Sequence, residues 1–245
     1  MGLAERFTVA LAAEAAGEED DGHLLPDRLA RTAARVLVVD GAGLSVQFGS
    51  HGRCPLGASS ADAARAEHLQ FTVGDGPCLL ALATGHPQFL VAEDIHRRWP
   101  LFADRLLAQT PYRGIVSLPV RHALAGTGAI DLFLVDPAAV ARLDVFDAVA
   151  VGDLVSAALT DAAVWSTWSE AEGPDWLHSP AAVRRAAVWQ AVALTSAALD
   201  VGATEALAVL RAHAEAGDRN LDSVAADLVS GRLVPADVAR RPGES

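Results

Sequence analysis

The stretch LQFTVGDGPCLLAL, residues 69–82, decides how the chain is read. Phe71 and Val73 suggest a short apolar strand, Gly74-Asp75-Gly76-Pro77 a tight turn, and Cys78 to Leu82 the start of an apolar helix. Glycine takes positive φ without a Cβ penalty, and proline suits a first helical turn, where its missing N–H is not needed. Three first-turn N–H groups would then point over the turn, which makes it either an anion or carbonyl site or a corner that only shapes the core.

Composition narrows the classes outward from that stretch. The chain has 245 residues, 51% of them hydrophobic and 20% charged, enough for a packed core in one large or two small domains. All nineteen basic residues are Arg, and the formal net charge is −12. Residues 1–179 carry twelve Arg against twenty-three acids, and residues 180–245 carry seven against eight. Neither part has the broad basic footprint of a strong nucleic-acid binder, so any RNA contact has to use a local Arg cluster. Cys54 and Cys78 are the only cysteines. A disulfide scaffold and a four-cysteine zinc site are excluded, and two thiols in such a chain fit the reduced cytoplasm. The apolar run Phe7–Ala13 is too short and too closely flanked by charge for a signal peptide or a membrane span. The eight histidines are scattered, with none paired at helical ligand spacing, and no metal or other cofactor is expected.

Taken in order, residues 3–16 suggest a first helix, with Leu3, Phe7, Ala10 and Leu11 on one face, and the acidic run 17–22 a solvated linker. Leu25–Ala34 suggests a second helix. Val36–Val39 and Leu44–Phe48 read as a hairpin, Gly49–Ser60 as a loop and Ala61–Leu69 as a helix. Cys78–Thr84 continues as helix, Phe89–Val91 as strand, Pro100–Gln109 as helix, and Ile115–Val120 and Ala129–Val135 as strands joined by a hairpin over Ala123–Gly128. The fold class is α+β, with an antiparallel sheet and helices to one side. From Ala138 to Trp165 the apolar period turns helical, predicting one long helix that either seals a dimer or docks on its own sheet. Trp165, Trp168 and Trp176 then cluster before a junction. Ser179-Pro180 opens a helix to Leu199, with Ser179 able to cap it. Thr204–Ala216 and a helix capped by Asn220 complete a three-helix bundle.

The opening stretch resembles the Q-x-x-x-G-[ED]-G-P-C-[LI]-x-A signature of GAF domains in actinobacterial GAF–ANTAR regulators, through Gln70, Gly74, Asp75, Gly76, Pro77, Cys78, Leu79 and Ala81. Asp94-Ile95 with Arg98-Trp99-Pro100-Leu101-Phe102-Ala103, and then Arg113–Val120, resemble two further stretches of that family in the same order. The resemblance implies a sensor sandwich enclosing a small-molecule pocket. Its candidate lining is Phe71, Cys78, Asp94, Trp99, Phe102, Arg113 and Ser117, with Arg113 holding an anionic group and Asp94 a donor. Each of these residues also has a plain reading as core packing or surface.

The C-terminal region resembles an ANTAR domain through Ala206-Leu207, Leu210-Arg211, His213-Ala214, Arg219-Asn220, Leu221, Val224-Ala225, Leu228-Val229 and Gly231. Its first helix departs: Gln190-Ala191-Val192-Ala193-Leu194 stands where the family carries a Gln-Ala-Lys-Gly run. The resemblance implies binding of stem-loops in nascent RNA by a homodimer that prevents termination. Candidate RNA contacts are Arg184, Arg185, Gln190, Arg211, His213, Arg219 and Asn220; for Asn220 a helix cap is the competing role. The expected organisation is an N-terminal helix and linker (1–22), a GAF-like sensor (23–137), a connecting helix and Trp-rich linker (138–178), an ANTAR-like module (179–234) and a tail (235–245). The expectation is thus a cytoplasmic regulator without catalytic activity. Two alternatives stand beside it. One is a degenerate module or dimeric sensor acting through protein partners without RNA. The other is a GAF-fold thiol enzyme resembling free-methionine sulfoxide reductases, which would need Cys54 and Cys78 as a reactive and resolving pair.

Overall fold

A computed structural model describes residues 1–16, 24–47, 53–122, 126–165 and 175–239. The acidic linker, the tip of the Ala123–Gly128 hairpin, Trp168 and most of the tail lie outside these residues. The chain divides into two compact units, Met1–Ala181 and Ala182–Ser245.

The first unit is built on a five-stranded sheet in the order β2-β1-β5-β4-β3. The strands are β1 (Gly41–Gln47), β2 (Arg53–Ala58), β3 (Gln88–Val91), β4 (Gly114–His122) and β5 (Gly126–Leu134), and every pairing is antiparallel. Helices cover both faces rather than one. On the face of Leu44, Val46 and Ile130 lie α2 (Leu25–Leu37) and α8 (Val145–Trp165), with α1 (Leu3–Ala15) packed on both helices. On the other face lie α3 (Ala61–Val73), α4 (Pro77–Thr84) and, against α3, α6 (Pro100–Gln109). The reason is visible in the central strand β5. Ala129, Asp131 and Phe133 are buried on one side, and Ile130, Leu132 and Leu134 on the other. A strand apolar on both faces has to be covered on both.

Several local expectations are corrected. Val36 and Leu37 are not strand but the last turn of α2, which ends at Val38 in the left-handed region (φ 55°). The partner of β1 is β2, which replaces the expected loop over Gly49–Ser60. The apolar run Leu69–Val73 is the end of α3, not a strand. Its buried side chains nearly encircle the helix (Leu69, Gln70, Phe71, Thr72), which erases the helical period in the sequence. Gly74 ends α3 in the left-handed region (φ 78°), and Pro77 opens α4 one turn later. Residues 92–98 form an extra helix, α5 (Ala92–Arg98).

The long helix expected from Ala138 is two: α7 (Ala138–Arg142) and α8. Leu143 is extended (ψ 124°), and the Asp144 carboxylate accepts from the N–H groups of Phe146 and Asp147, restarting the helix. Helix α8 docks on its own sheet through Ala148, Val151, Val155 and Leu159, while Phe146, Val149 and Val164 remain exposed.

Two ion-pair groups tie α1 to its neighbours. Glu14 bridges Arg31 (2.6 Å) and Arg35 (2.5 Å) of α2, and Arg6 faces Asp147 of α8 at 3.7 Å. The second unit consists of α9 (Pro180–Leu199), which begins just inside the first unit, α10 (Ala203–Ala216), α11 (Leu221–Val229) and the short α12 (Pro235–Val238). Leu207, Leu210, Ala214, Leu221, Val224 and Leu228 form the buried side of α10 and α11. No single helix among the described residues is long and apolar enough to cross a membrane.

The backbone of α2 closely approaches the sheet at Gly57 of β2. A Cβ there would sit 2.5 Å from the Pro26 carbonyl carbon and 2.6 Å from the Asp27 nitrogen. Backbone cannot rotate away as a side chain can, so Gly57→Ala is expected to cost about 1–3 kcal/mol in urea unfolding. Gly2→Ala, which meets nothing within 4 Å, serves as the control and is expected to stay within about 0.5 kcal/mol.

Candidate functional site

Across the face covered by α3 and α4 runs a row of small and polar residues. Asp131 on β5 pairs with Gly43 of β1 on one side and with Ser117 of β4 on the other, and Ser117 pairs with Gln88 of β3. Directly opposed residues share a face of the sheet, so Gly43, Asp131 and Ser117 all look toward α3 and α4. Gln70 descends from α3 into this row. Its amide donates to Asp131 Oδ2 at 2.7 Å, and its carbonyl oxygen accepts the Cys78 N–H at 3.1 Å. One side chain therefore joins α3, the central strand and the first turn of α4.

The surroundings fit around that bridge. Gly76 has φ 153°, and a Cβ on it would lie 2.7 Å from Gln70 Oε1. Glycine is required there both for conformation and for the approach of the amide. Glu67, one turn before Gln70, lies over Gly43, where a Cβ would fall 2.4 Å from its Cγ and Oε1. The Ser45 hydroxyl is 3.5 Å from the Cys78 sulfur. Glu67, Gln70, Asp131 and Ser117 are each no more than 2% exposed. The Ser117 hydroxyl has no hydrogen-bond partner among the described residues.

Four of the seven candidate lining residues fall into two groups. Cys78 and Ser117 belong to this polar row. Phe102 is fully buried and Trp99 partly buried in an adjoining apolar cluster with Leu106, Tyr112, Ile115 and Phe133. Tyr112 stacks on Phe133 with ring centroids 5.0 Å apart, and burial, partly offset by the Ser60 hydroxyl, pushes its phenol above the ordinary value. Phe71 is buried on α3.

Asp94 is paired with Arg97 on the exposed side of α5. Arg113 holds no anion-binding position: its guanidinium donates to the carbonyls of Tyr112 (2.8 Å), Thr110 (3.0 Å) and Leu107 (3.5 Å). The carbonyls at and after the end of α6 lack helical donors, and Arg113 supplies them. Of the two readings of the turn, the N–H groups of Gly76 and Cys78 favour the corner that shapes the core over an anion site. Gln70 takes the Cys78 N–H, and the Asp75 carboxylate takes the Gly76 N–H at 2.8 Å. The signal that could have found Gln70 is its position eight residues before Cys78; Asp131, Glu67 and Ser45 carried none.

Neither cysteine is in a disulfide, and both are buried. Cys54 pairs with Val46, whereas Cys78 lies against Ser45, the neighbouring residue of β1. Adjacent strand residues face opposite ways, so the two thiols lie on opposite faces of the sheet and are not placed to resolve one another. Among the described residues, no group of three or more His, Cys, Asp or Glu side chains is placed to hold a metal ion.

In the second unit, Arg184 and Arg185 lie on α9, with their side chains outside the described residues. Gln190 is exposed on the same helix. Arg211 and His213 are half-buried on α10, and burial lowers the Arg211 pKa. Arg219 is engaged by Asp227, which also accepts from Arg232 at 2.7 Å. Asn220 is a helix cap: its Oδ1 accepts the Ser223 N–H at 2.8 Å. Arg219 and Asn220 thus have structural roles at the α10–α11 corner, and Arg232 joins them there.

No family model matches the chain, and no curated protein matches it. Solved structures similar to it include the GAF domain from an Acinetobacter phosphoenolpyruvate-protein phosphotransferase, at 11% identity over 67% of this chain and 96% of that one, TM-score 0.43. The GAF domain of the Coxiella burnetii phosphoenolpyruvate-protein phosphotransferase is 12% identical over 65% and 95%, TM-score 0.43. The N-acylhomoserine lactone dependent LuxR family transcription factor CepR2 from Burkholderia cenocepacia is 14% identical over 65% and 94%, TM-score 0.45.

Gln70→Leu removes the donor to a buried carboxylate and the acceptor for the Cys78 N–H, and is expected to cost at least about 2 kcal/mol in urea unfolding. Ser117→Ala removes a hydroxyl without a partner and is expected to shift stability by no more than about 0.5 kcal/mol, or to raise it. In the second unit, hydrogen bonds from Arg219 and then Arg232 hold the Asp227 carboxyl below its ordinary 3.8. The stability this adds is complete above 3.8 and is lost as the pH falls through the lower folded value. Thermal melts across that acid range are expected to lose this component in Asp227→Asn.

Proposed function

We propose that the chain is a signal-responsive transcription regulator, in which a GAF-type sensor unit governs an ANTAR-like RNA-binding helical unit. The observation that carries the sensor half is the convergence of the signature residues Gln70, Gly76 and Cys78 on Asp131 in one buried polar row. A polar row in the middle of an apolar face is the chemistry by which a small molecule is oriented. Ser117, with its unmatched hydroxyl, is the residue that a polar ligand would engage first. The ligand is a small organic molecule rather than a metal or prosthetic group, and the protein has no catalytic role. It works in the cytoplasm as a homodimer, acting by antitermination on stem-loops of nascent RNA.

The RNA half rests on the resemblance of residues 204–231 and on Arg184 and Arg185, which α9 carries on consecutive positions. A degenerate unit acting through protein partners is the second reading. It is favoured by the engagement of Arg219 with Asp227 and by the use of Asn220 as a cap, which remove two of the candidate contacts.

Binding of the purified chain to a two-hairpin RNA and to an unstructured control, at low and physiological salt, separates the two. An RNA regulator is expected to bind the hairpins selectively at physiological salt. The double variant Arg184→Ala/Arg185→Ala is expected to weaken binding and to reduce the salt slope by about 2. A folded dimer without selective binding would leave the second reading.

A further inference from the structure

The segment just before α9 is tied to the sensor sheet at an irregular point. Strand β2 is an edge strand, and its register against β1 slips between the pairs Leu44↔Gly57 and Ser45↔Pro55. Leu56 is thus the extra residue of a β-bulge, with no partner opposite it in the ladder. Its backbone carbonyl is taken by the Ser179 hydroxyl at 2.5 Å. Three residues earlier, the Trp176 indole N–H donates to the Leu159 carbonyl of α8 at 3.1 Å. Ser179 is fully buried and Trp176 2% exposed. Pro180, the next residue, is the first of α9.

We propose that Trp176–Ser179 is a strap through which the position of the β2 bulge sets the start of α9. A side chain buried at both its anchors holds a chain segment more firmly than a surface contact, because breaking it leaves a carbonyl unsatisfied in the interior. A shift of β2 moves the Leu56 carbonyl, the carbonyl moves Ser179, and Pro180 follows through a single peptide bond. A hydroxyl that donates once retains lone pairs, so Ser179 can hold Leu56 and cap α9 together. The use of this link in signalling rests on the regulatory reading above; the link itself does not.

The test is hydrogen exchange on the full chain, which needs neither ligand nor RNA and so fails independently of that reading. Amides of residues 53–59 and 180–187 are followed in four proteins: the unaltered chain, Ser179→Thr, Ser179→Ala and Ser179→Asp. Thr keeps both functions of the hydroxyl. Asp caps a helix as well as Ser but has no proton to give the Leu56 carbonyl. A strap predicts that Ala and Asp each speed exchange in both segments together, by roughly three- to tenfold, and that Thr stays near the unaltered chain. Restoration by Asp, or faster exchange at 180–187 with 53–59 unchanged, would show a helix cap only and overturn the proposal. Should the Ala and Asp variants fail to fold, Trp176→Phe removes the second tie with little change of shape. It is expected to speed exchange at 180–187 by roughly threefold, and no change there would equally overturn the strap.

Discussion

The fold of the first unit turns on a buried amide. Gln70 presents a donor and an acceptor in one rigid plane, and the two meet opposite needs: a carboxylate on the central strand and an orphan N–H at the start of α4. No apolar residue meets either need, and a carboxylate would meet only one. Once the amide is in place the neighbouring choices are constrained. Gly76 has to lack a side chain, the corner between α3 and α4 has to be tight, and Cys78 comes to rest on Ser45. Asp131 is held at the centre of a sheet where an unsatisfied charge would be costly.

Both the reach and the failure of sequence reading trace to burial. Helices with an exposed face, such as α2 and α6, kept their periodicity and were legible within a few residues. The end of α3 was not, because nearly every side chain from Leu69 to Thr72 is buried and the pattern flattens. Strand β2 hid for another reason: Pro55 and Gly57 read as loop, yet a proline is tolerated on an edge strand and the glycine admits the backbone of α2. In the site, the motif led to Cys78 and, through the matched β4 stretch, to Ser117. Asp131 stayed invisible because a lone acid in an apolar strand ordinarily marks the solvent face, and here both faces are covered.

Arginine does unusual work in a chain that has no lysine. Arg31 and Arg35 share one carboxylate between two helices, Arg113 closes a loop by donating to three carbonyls, and Arg219 shares Asp227 with Arg232. A planar fork with five donors suits such joints better than an ammonium does. The same assignments commit Arg219, one of the expected RNA contacts, to a structural joint.

The bulge at Leu56 also bears on the solubility of the protein. An edge strand presents unpaired backbone groups that can recruit a strand from another molecule, and natural sheets blunt such edges with prolines, bulges or a covering segment. β2 has all three: Pro55, the slipped register, and the Ser179 hydroxyl seated on the Leu56 carbonyl. A chain whose covering segment comes loose therefore does more than free a helix. It bares part of an edge strand of the sheet, so that loss of this small contact and a tendency to aggregate would arrive together.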